Sequence, residues 1–312
     1  MRAPEFWQRD GVLPWLLAPV AAVYGGVTAW RVARPGWLAP VPVLCVGNAG
    51  VGGSGKTTVA LDLGARLLAR GRRVAFLTRG YGGRLAGPVR VDAVRHGAAE
   101  VGDEALLLAG MAATYLGGDR AATARMAVEQ GAGVLVLDDG LQNSSLRKTL
   151  SLLVIDGAVG FGNGRVIPAG PLREPVGAAA ARCGAAVLIG EDVTGALGQL
   201  PAGLPVLRAR LVSEVLPAGP LVAFAGIGRP EKFRETLSAA GGEVRALHAF
   251  PDHHRYTEAE LRPILSAAGG ATVVTTPKDM VRVPAALRER IAAVGARLVW
   301  DTPPDPFLEL LP

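Results

Sequence analysis

Eight consecutive residues constrain this chain more than any other feature: Gly50-Val51-Gly52-Gly53-Ser54-Gly55-Lys56-Thr57. The spacing is a full G-x-x-x-x-G-K-[ST], set between the apolar run VPVLCVG (41–47) and a helical pattern over 56–70. That strand–loop–helix context is what such a loop needs. Glycines let backbone N–H groups turn inward around phosphate oxygens, and the helix N-terminus adds partial positive charge. The sequence therefore predicts a nucleoside triphosphate site over residues 50–58, Thr58 included. Lys56 would reach the β- and γ-phosphates, and the Thr57 hydroxyl would sit on Mg2+. A second run, VLVLD (134–138), ends in the pair Asp138 and Asp139, where a carboxylate would hold that metal. Either acid fits.

Motors, switches, partition-type ATPases and metabolite kinases share this loop, so it does not name a task. Partition-type ATPases carry an extra lysine where this chain has Val51. A GTPase would need a base-reading N/TKxD, which Thr276-Pro277-Lys278-Asp279 resembles only weakly and far from the loop.

Further short apolar runs at 74–78, 152–156 and 185–190 alternate with helical stretches such as 121–130. Continuous apolar runs of this length predict a parallel sheet covered on both faces. A Pro/Gly-rich stretch at 201–220 reads as a connector containing one strand-like piece. A second series follows: strands at 221–227, 243–250, 271–276 and 296–300, with helices at 230–240, 257–268 and 285–294. The expected fold class is α/β: a P-loop NTPase-type parallel sheet domain (36–205), a linker (206–220) and a smaller α/β domain (221–312). A hydrophobic N-terminal helix (1–35) precedes them.

That N-terminal helix rests on 20 uncharged residues from Gly11 to Trp30. A helix of that length spans about 30 Å, the thickness of a bilayer core. Trp15, Tyr24 and Trp30 suit interfacial anchoring, and Arg31 and Arg34 follow at once, which favours a cytoplasmic location for the rest. A mixed-charge flank (Arg2, Glu5, Arg9, Asp10) fits a signal peptide poorly. The plainer alternatives are a helix buried against the domain and one lying on the membrane rather than through it. The net charge of +6 favours an anionic partner, while 5% aromatic residues argue against a stacking platform for nucleic acid. Cys45 and Cys183 suit a reducing compartment and exclude a disulfide framework.

Three polar clusters are candidates for an acceptor site. Arg79-Gly80-Tyr81-Gly82-Gly83-Arg84 puts two arginines in a flexible loop, an anion clamp or a solvated turn. Asp103 opens an apolar helix, where capping is the default, but an Asp near the γ-phosphate can instead accept a hydroxyl proton. Three of the four histidines, His248, His253 and His254, fall within seven residues. Their spacing matches no zinc pattern, and pairing of one with a catalytic carboxylate explains the cluster better. Finally, 156–175 (DGAVGFGNGRVIPAGPLREP) has no helix or strand period. A loop of that length is usually functional, and Arg165 and Arg173 suit an anionic acceptor.

The strings VGNAGVGGSGKTT (46–58), LTRGYGGR (77–84), VGDEALLLA (101–109), DDGLQN (138–143), DGAVGFGNGRVIPAGPLREP (156–175), FAGIGRPEKF (224–233) and HAFPDHHRYT (248–257) together resemble the tetraacyldisaccharide 4'-kinases of Gram-negative bacteria. The resemblance implies ATP- and Mg2+-dependent phosphorylation of a lipid-linked disaccharide 1-phosphate at the bacterial inner membrane. It implies catalytic domains in the cytoplasm beside an anionic membrane surface, with no nucleic acid and no obligate protein partner. It also implies Asp103 as base with His253, rather than His254, beside it, and Lys56, Thr57, Asp138 and Asp139 in the nucleotide and metal site. Arg79, Arg84, Arg165 and Arg173 are then expected on the acceptor. Two departures stand out. Asn143 replaces a histidine often found in relatives, and Pro277 replaces a glutamate and removes a backbone donor. The rival expectations are a soluble P-loop kinase or ligase of a small anion, and a nucleotide-dependent assembly switch.

Overall fold

The structure, a computed structural model, describes residues 4–312. Helix α1 (Val12–Val32) precedes β1 (Val43–Gly47), α2 (Lys56–Ala69) and β2 (Val74–Thr78). Then come β3 (Val89–Arg90), α3 (Ala98–Val101), α4 (Asp103–Ala109), β4 (Ala113–Leu116), α5 (Arg120–Glu129) and β5 (Val134–Asp138). β6 (Leu150–Asp156), α6 (Val176–Ala180), β7 (Ala185–Ile189) and β8 (Val206–Ser213) follow. The last part holds β9 (Leu221–Ala225), α7 (Pro230–Ala239), β10 (Val244–Ala249), α8 (Glu258–Ala267), β11 (Thr272–Thr275), α9 (Pro277–Met280), β12 (Ala292–Ala293), β13 (Ala296–Trp300) and α10 (Asp305–Leu308).

Nine strands form one sheet in the order β13-β8-β7-β6-β1-β5-β2-β4-β3, and four form a second in the order β10-β9-β11-β12. Only the edge strands β3 and β13 run antiparallel to their neighbours. The central strands are buried along their whole length because alternate side chains serve opposite faces. Val43 and Cys45 of β1 pack with Leu77 and Leu137 on one face, whereas Leu44 and Val46 pack with Phe76 and α2 residues Val59 and Leu63 on the other. The unstructured segment 156–175 contributes Phe161 and Leu172 to the first face. Each such burial is worth about 1.5–3 kcal/mol, enough to pin a loop without regular hydrogen bonding.

Three expectations change. The strand-like piece in the expected connector is β8, a full member of the first sheet between β7 and β13, so 206–220 is not a linker throughout. The strand at 296–300 forms but pairs with β8 rather than with the second sheet, so the chain returns to its first sheet near the end. The helix expected over 285–294 is a 3-10 turn at Ala285–Arg290 followed by β12, because pairing Val274 and Thr275 with Ala292 and Ala293 outweighs a marginal helical pattern.

α1 is apolar on nearly every side, and only Pro14, Ala21 and Thr28 are buried, a seven-residue stripe facing the body of the protein. Trp15, Leu16, Val20, Val23, Val27 and Trp30 are each more than half exposed. A large uncovered apolar surface on a soluble monomer is rare, and this one sits on the one described helix long and apolar enough to cross a membrane. The alternative of a helix buried against the domain does not hold.

Candidate active site

Parallel pairing puts the carboxyl ends of neighbouring strands on one edge. β1 lies between β5 and β6, and β5 lies against β2. The phosphate-binding loop after β1, the Asp138-Asp139 pair after β5, the Arg79 loop after β2 and Asp156 at the end of β6 therefore share a single rim. Ligands of open α/β sheets bind at such a rim. Gly55 enters α2 at φ +83, and Gly52 lies at φ +115, conformations that favour glycine. Among the described residues, the amides from Gly52 to Thr57 donate to no backbone or side-chain acceptor. A row of free donors at a helix N-terminus is an anion cradle. Lys56 Nζ waits in it, 3.2 Å from the Gly52 carbonyl and 3.8 Å from Asp139 Oδ1.

Thr57 donates its hydroxyl to Asp138 Oδ2 at 2.9 Å, whereas the buried Asp138 Oδ1 and Ser54 Oγ have no partner. Orphaned buried oxygens next to a phosphate cradle fit a hard cation. Among the described residues no cluster of three or more His, Cys, Asp or Glu could hold a metal. Mg2+ takes one or two protein oxygens and completes its shell with water and phosphate, so Thr57 and Asp138 would be enough to hold it. Burial pushes the Asp138 carboxyl up to about 7; Glu104 and Asp139 add to this, and Lys56 and the Thr57 hydroxyl oppose it. The folded protein thus keeps a proton that the unfolded chain releases near pH 4. Stability of the metal-free protein is expected to fall as pH rises from about 4 to about 7 and to level off above. Asp138→Asn is expected to flatten that fall and to remove the extra stabilisation conferred by Mg·ATP. Thermal denaturation at stepped pH, with and without Mg·ATP, reads both.

Asp139 behaves differently. Burial works to raise its carboxyl, but Lys56 and then Arg173 outweigh that and hold it below the usual carboxylate range. Arg173 forks onto it at 2.8 and 3.0 Å and also donates to Gln142 Oε1. Arg173 thus sits beside the phosphate site, paired with Asp139 rather than free in the long loop. The same segment braces the phosphate loop through its backbone, with Val51 N donating to Pro171 O and Arg173 N to Ala49 O. Gln142 and the buried Glu174, missed in the sequence, stitch this brace to Asn48 and Arg182. Asn143 Oδ1 accepts from the backbone N–H and the hydroxyl of Ser145 in a local turn.

Arg165 is likewise paired within the protein. It forks onto Asp10 and lies over the Trp15 ring, while Asn163 donates to the carbonyls of Phe6 and Ala169. The foot of α1 is therefore tied to the loop that braces the phosphate cradle. Arg84 pairs with Glu100 at 3.0 Å on the surface. Arg79 is exposed and forms no ion pair among the described residues.

Asp103 opens α4 but caps no backbone amide there. Its Oδ2 instead accepts from His253 Nδ1 at 2.8 Å, across the cleft between the two sheets. A carboxylate only accepts, so the neutral ring carries its proton on Nδ1. His254 turns away to Glu260 at 3.0 Å. Tyr81 of the Arg79 loop lies against the His253 ring, centroids 5.6 Å apart. Gly102 makes room for this arrangement: at φ +85, a Cβ there would meet the Tyr81 carbonyl at 2.3 Å. The two non-glycine residues at positive φ among those described are Asp139 and His253, one in each half of the site. Such conformations cost of order 1–3 kcal/mol and concentrate where function requires them. Two further ion pairs join the sheets, Lys278–Glu104 at 3.2 Å and Lys232–Asp156 at 3.1 Å.

A model of the tetraacyldisaccharide-1-P 4'-kinase family matches residues 13–311. A tetraacyldisaccharide 4'-kinase of Gluconacetobacter diazotrophicus is 56% identical over 98% of this chain and 96% of its own length. One from Rhodospirillum centenum is 53% identical over 97% and 94%. A crystal structure of LpxK from Aquifex aeolicus, an "apo" form in complex with ATP, superposes with a TM-score of 0.78 at 27% identity, covering 96% of this chain and 98% of that one. With 299 of its residues inside the family match and relatives above half identity along nearly its full length, this chain belongs to the tetraacyldisaccharide-1-P 4'-kinase family.

Proposed function

We propose that this chain transfers the γ-phosphate of ATP to the 4'-hydroxyl of a tetraacyldisaccharide 1-phosphate, the lipid A precursor, at the cytoplasmic face of the bacterial inner membrane. The observation that carries this reading is the Asp103–His253 contact beside a free phosphate cradle. A hydrolytic switch needs only to orient water, whereas a kinase needs a base for an acceptor hydroxyl. The hydroxyl oxygen attacks the γ-phosphorus, the bond to the β,γ-bridging oxygen breaks, and ADP leaves. Asp103 takes the hydroxyl proton, and His253 holds the carboxylate in place. Lys56 and the loop amides neutralise charge on the transferring group. Arg173 keeps Asp139 ionised and fixed beside Lys56. Thr57 and Asp138 would hold Mg2+, which would supply positive charge against the phosphates.

Label from γ-labelled ATP is expected on the disaccharide 1-phosphate in mixed micelles with Mg2+. Folded protein that binds ATP and leaves the lipid unlabelled overturns the assignment. Membrane attachment through α1 is supported by its exposed apolar surface and by Arg31 and Arg34 at its end. Removing residues 1–35 is expected to shift the protein from the membrane pellet to the supernatant in a detergent-free fractionation. A soluble metabolite kinase would already be in the supernatant and would keep its activity after that deletion.

A further inference from the structure

No motif marks Arg282, which follows α9 in the second sheet's half of the protein, yet its side chain is 2% exposed. Four acceptors of that half hold its guanidinium. Nη2 donates to Asp279 Oδ1 at 2.8 Å and to Gly226 O at 3.2 Å, Nη1 to His254 O at 3.0 Å, and Nε to Lys278 O at 3.2 Å. Asp279, fully buried, also accepts from Gly226 N and from the hydroxyls of Tyr256 and Thr276. From this fixed base, Arg282 Nε reaches across the cleft to within 3.3 Å of Asp103 Oδ2.

We propose that Arg282 is a positioning residue for phosphoryl transfer: with His253 it occupies Oδ2 of Asp103, so that Oδ1 alone is presented to the acceptor hydroxyl. The inference rests on the functional reading above. A carboxylate held by one donor can rotate and exchange its oxygens. A hydrogen bond from His253 and the fixed charge of Arg282, whose Nε proton goes to Lys278 O, draw on the same oxygen from different directions and oppose that rotation. Among the described residues Oδ1 has no hydrogen-bond partner, and Asp103 borders a small cleft lined also by Gly82, Ala98, His253 and Arg255. His253 and Arg282 both belong to the second sheet's half, so Asp103 is aimed only while the two halves are closed together. Arginine suits the task because its planar fork stays charged and fixes direction, which a lysine ammonium does not.

The test compares full-length Arg282→Gln, Asp103→Asn and the double variant with wild type. Asp279 keeps three other donors in Arg282→Gln, so the fold should survive. Misaiming a reacting group by about 1 Å costs about a hundredfold. Arg282→Gln is therefore expected to lower kcat by about that factor with the KM for ATP unchanged. Because the two residues act as a unit, the double variant should be less than about threefold slower than Asp103→Asn alone. Losses that multiply in the double variant, or a loss confined to KM, would overturn the proposal. Should Arg282→Gln prove unstable, Arg282→Lys decides by the same comparison, since it keeps the charge but not the fork. Failure of the wild type to label the lipid strikes the functional reading instead.

Discussion

Alanine at Lys56 is expected to lower kcat for phosphoryl transfer by about a thousandfold or more, the loss typical of removing a group that stabilises transition-state charge in a dry site. Lys56 is buried at the mouth of the cradle, so its charge is poorly screened and acts at close range. Arg173, which shares Asp139 with it, has its guanidinium committed to Asp139 and Gln142. The fold should tolerate the change, since Asp139 keeps the Arg173 fork and Lys56 gives up only one backbone hydrogen bond, worth about 1 kcal/mol. Single-turnover transfer from γ-labelled ATP, with nucleotide binding measured separately, distinguishes lost chemistry from lost affinity. A variant retaining a tenth of wild-type kcat would remove Lys56 from the machinery.

What the amino-acid sequence makes legible follows the range of each signal. The phosphate loop, the acids after β5 and the central strands are local: a few neighbouring residues carry both the pattern and the chemistry. Their boundaries agree with the structure to within a residue or two at β2, β5 and α2. Long-range partners are a different matter. Arg165 and Arg173 look alike in one loop, yet one is drawn to Asp10 at the foot of α1 and the other to Asp139. Nothing within the loop distinguishes them. β8 shows in the sequence only as a strand-like piece, because prolines and glycines flank it and only pairing with β7 and β13 makes it part of the sheet. Arg282 has no motif at all, and its place beside Asp103 exists only once two distant halves of the chain meet. The Asp103–His253 pairing stood on family resemblance, since the residues themselves allowed a helix cap and either histidine.

The ties between parts also bear on how the site responds to the membrane. Asn163 and Arg165 fasten the foot of α1 to the 156–175 loop, and the backbone of that loop fastens Ala49 and Val51. An apolar anchor and a phosphate cradle are thus joined through one rigid segment rather than a flexible linker. A substrate whose acyl chains stay in the bilayer would then meet a cradle at a fixed height above it.

Asp103→Ala is expected to cost about 10²–10⁴-fold in kcat and to leave measurable activity. That range is typical of general-base help, while the cradle and the metal site still bind and polarise the nucleotide. His253→Ala should cost less, because Arg282 continues to hold Asp103 Oδ2 from the other direction. Asp103 and His253 act on one proton, so combining the two changes should add little to Asp103→Ala alone. The KM for ATP should stay near wild type in all three, because neither side chain touches the phosphate loop. Steady-state rates at saturating lipid, measured across this set, check the pattern. If Asp103→Ala is as active as wild type, the proton leaves by another route and the carboxylate serves only to join the two halves. If instead His253→Ala costs as much as Asp103→Ala, Arg282 does not hold the carboxylate without the ring, and its positioning role fails as well.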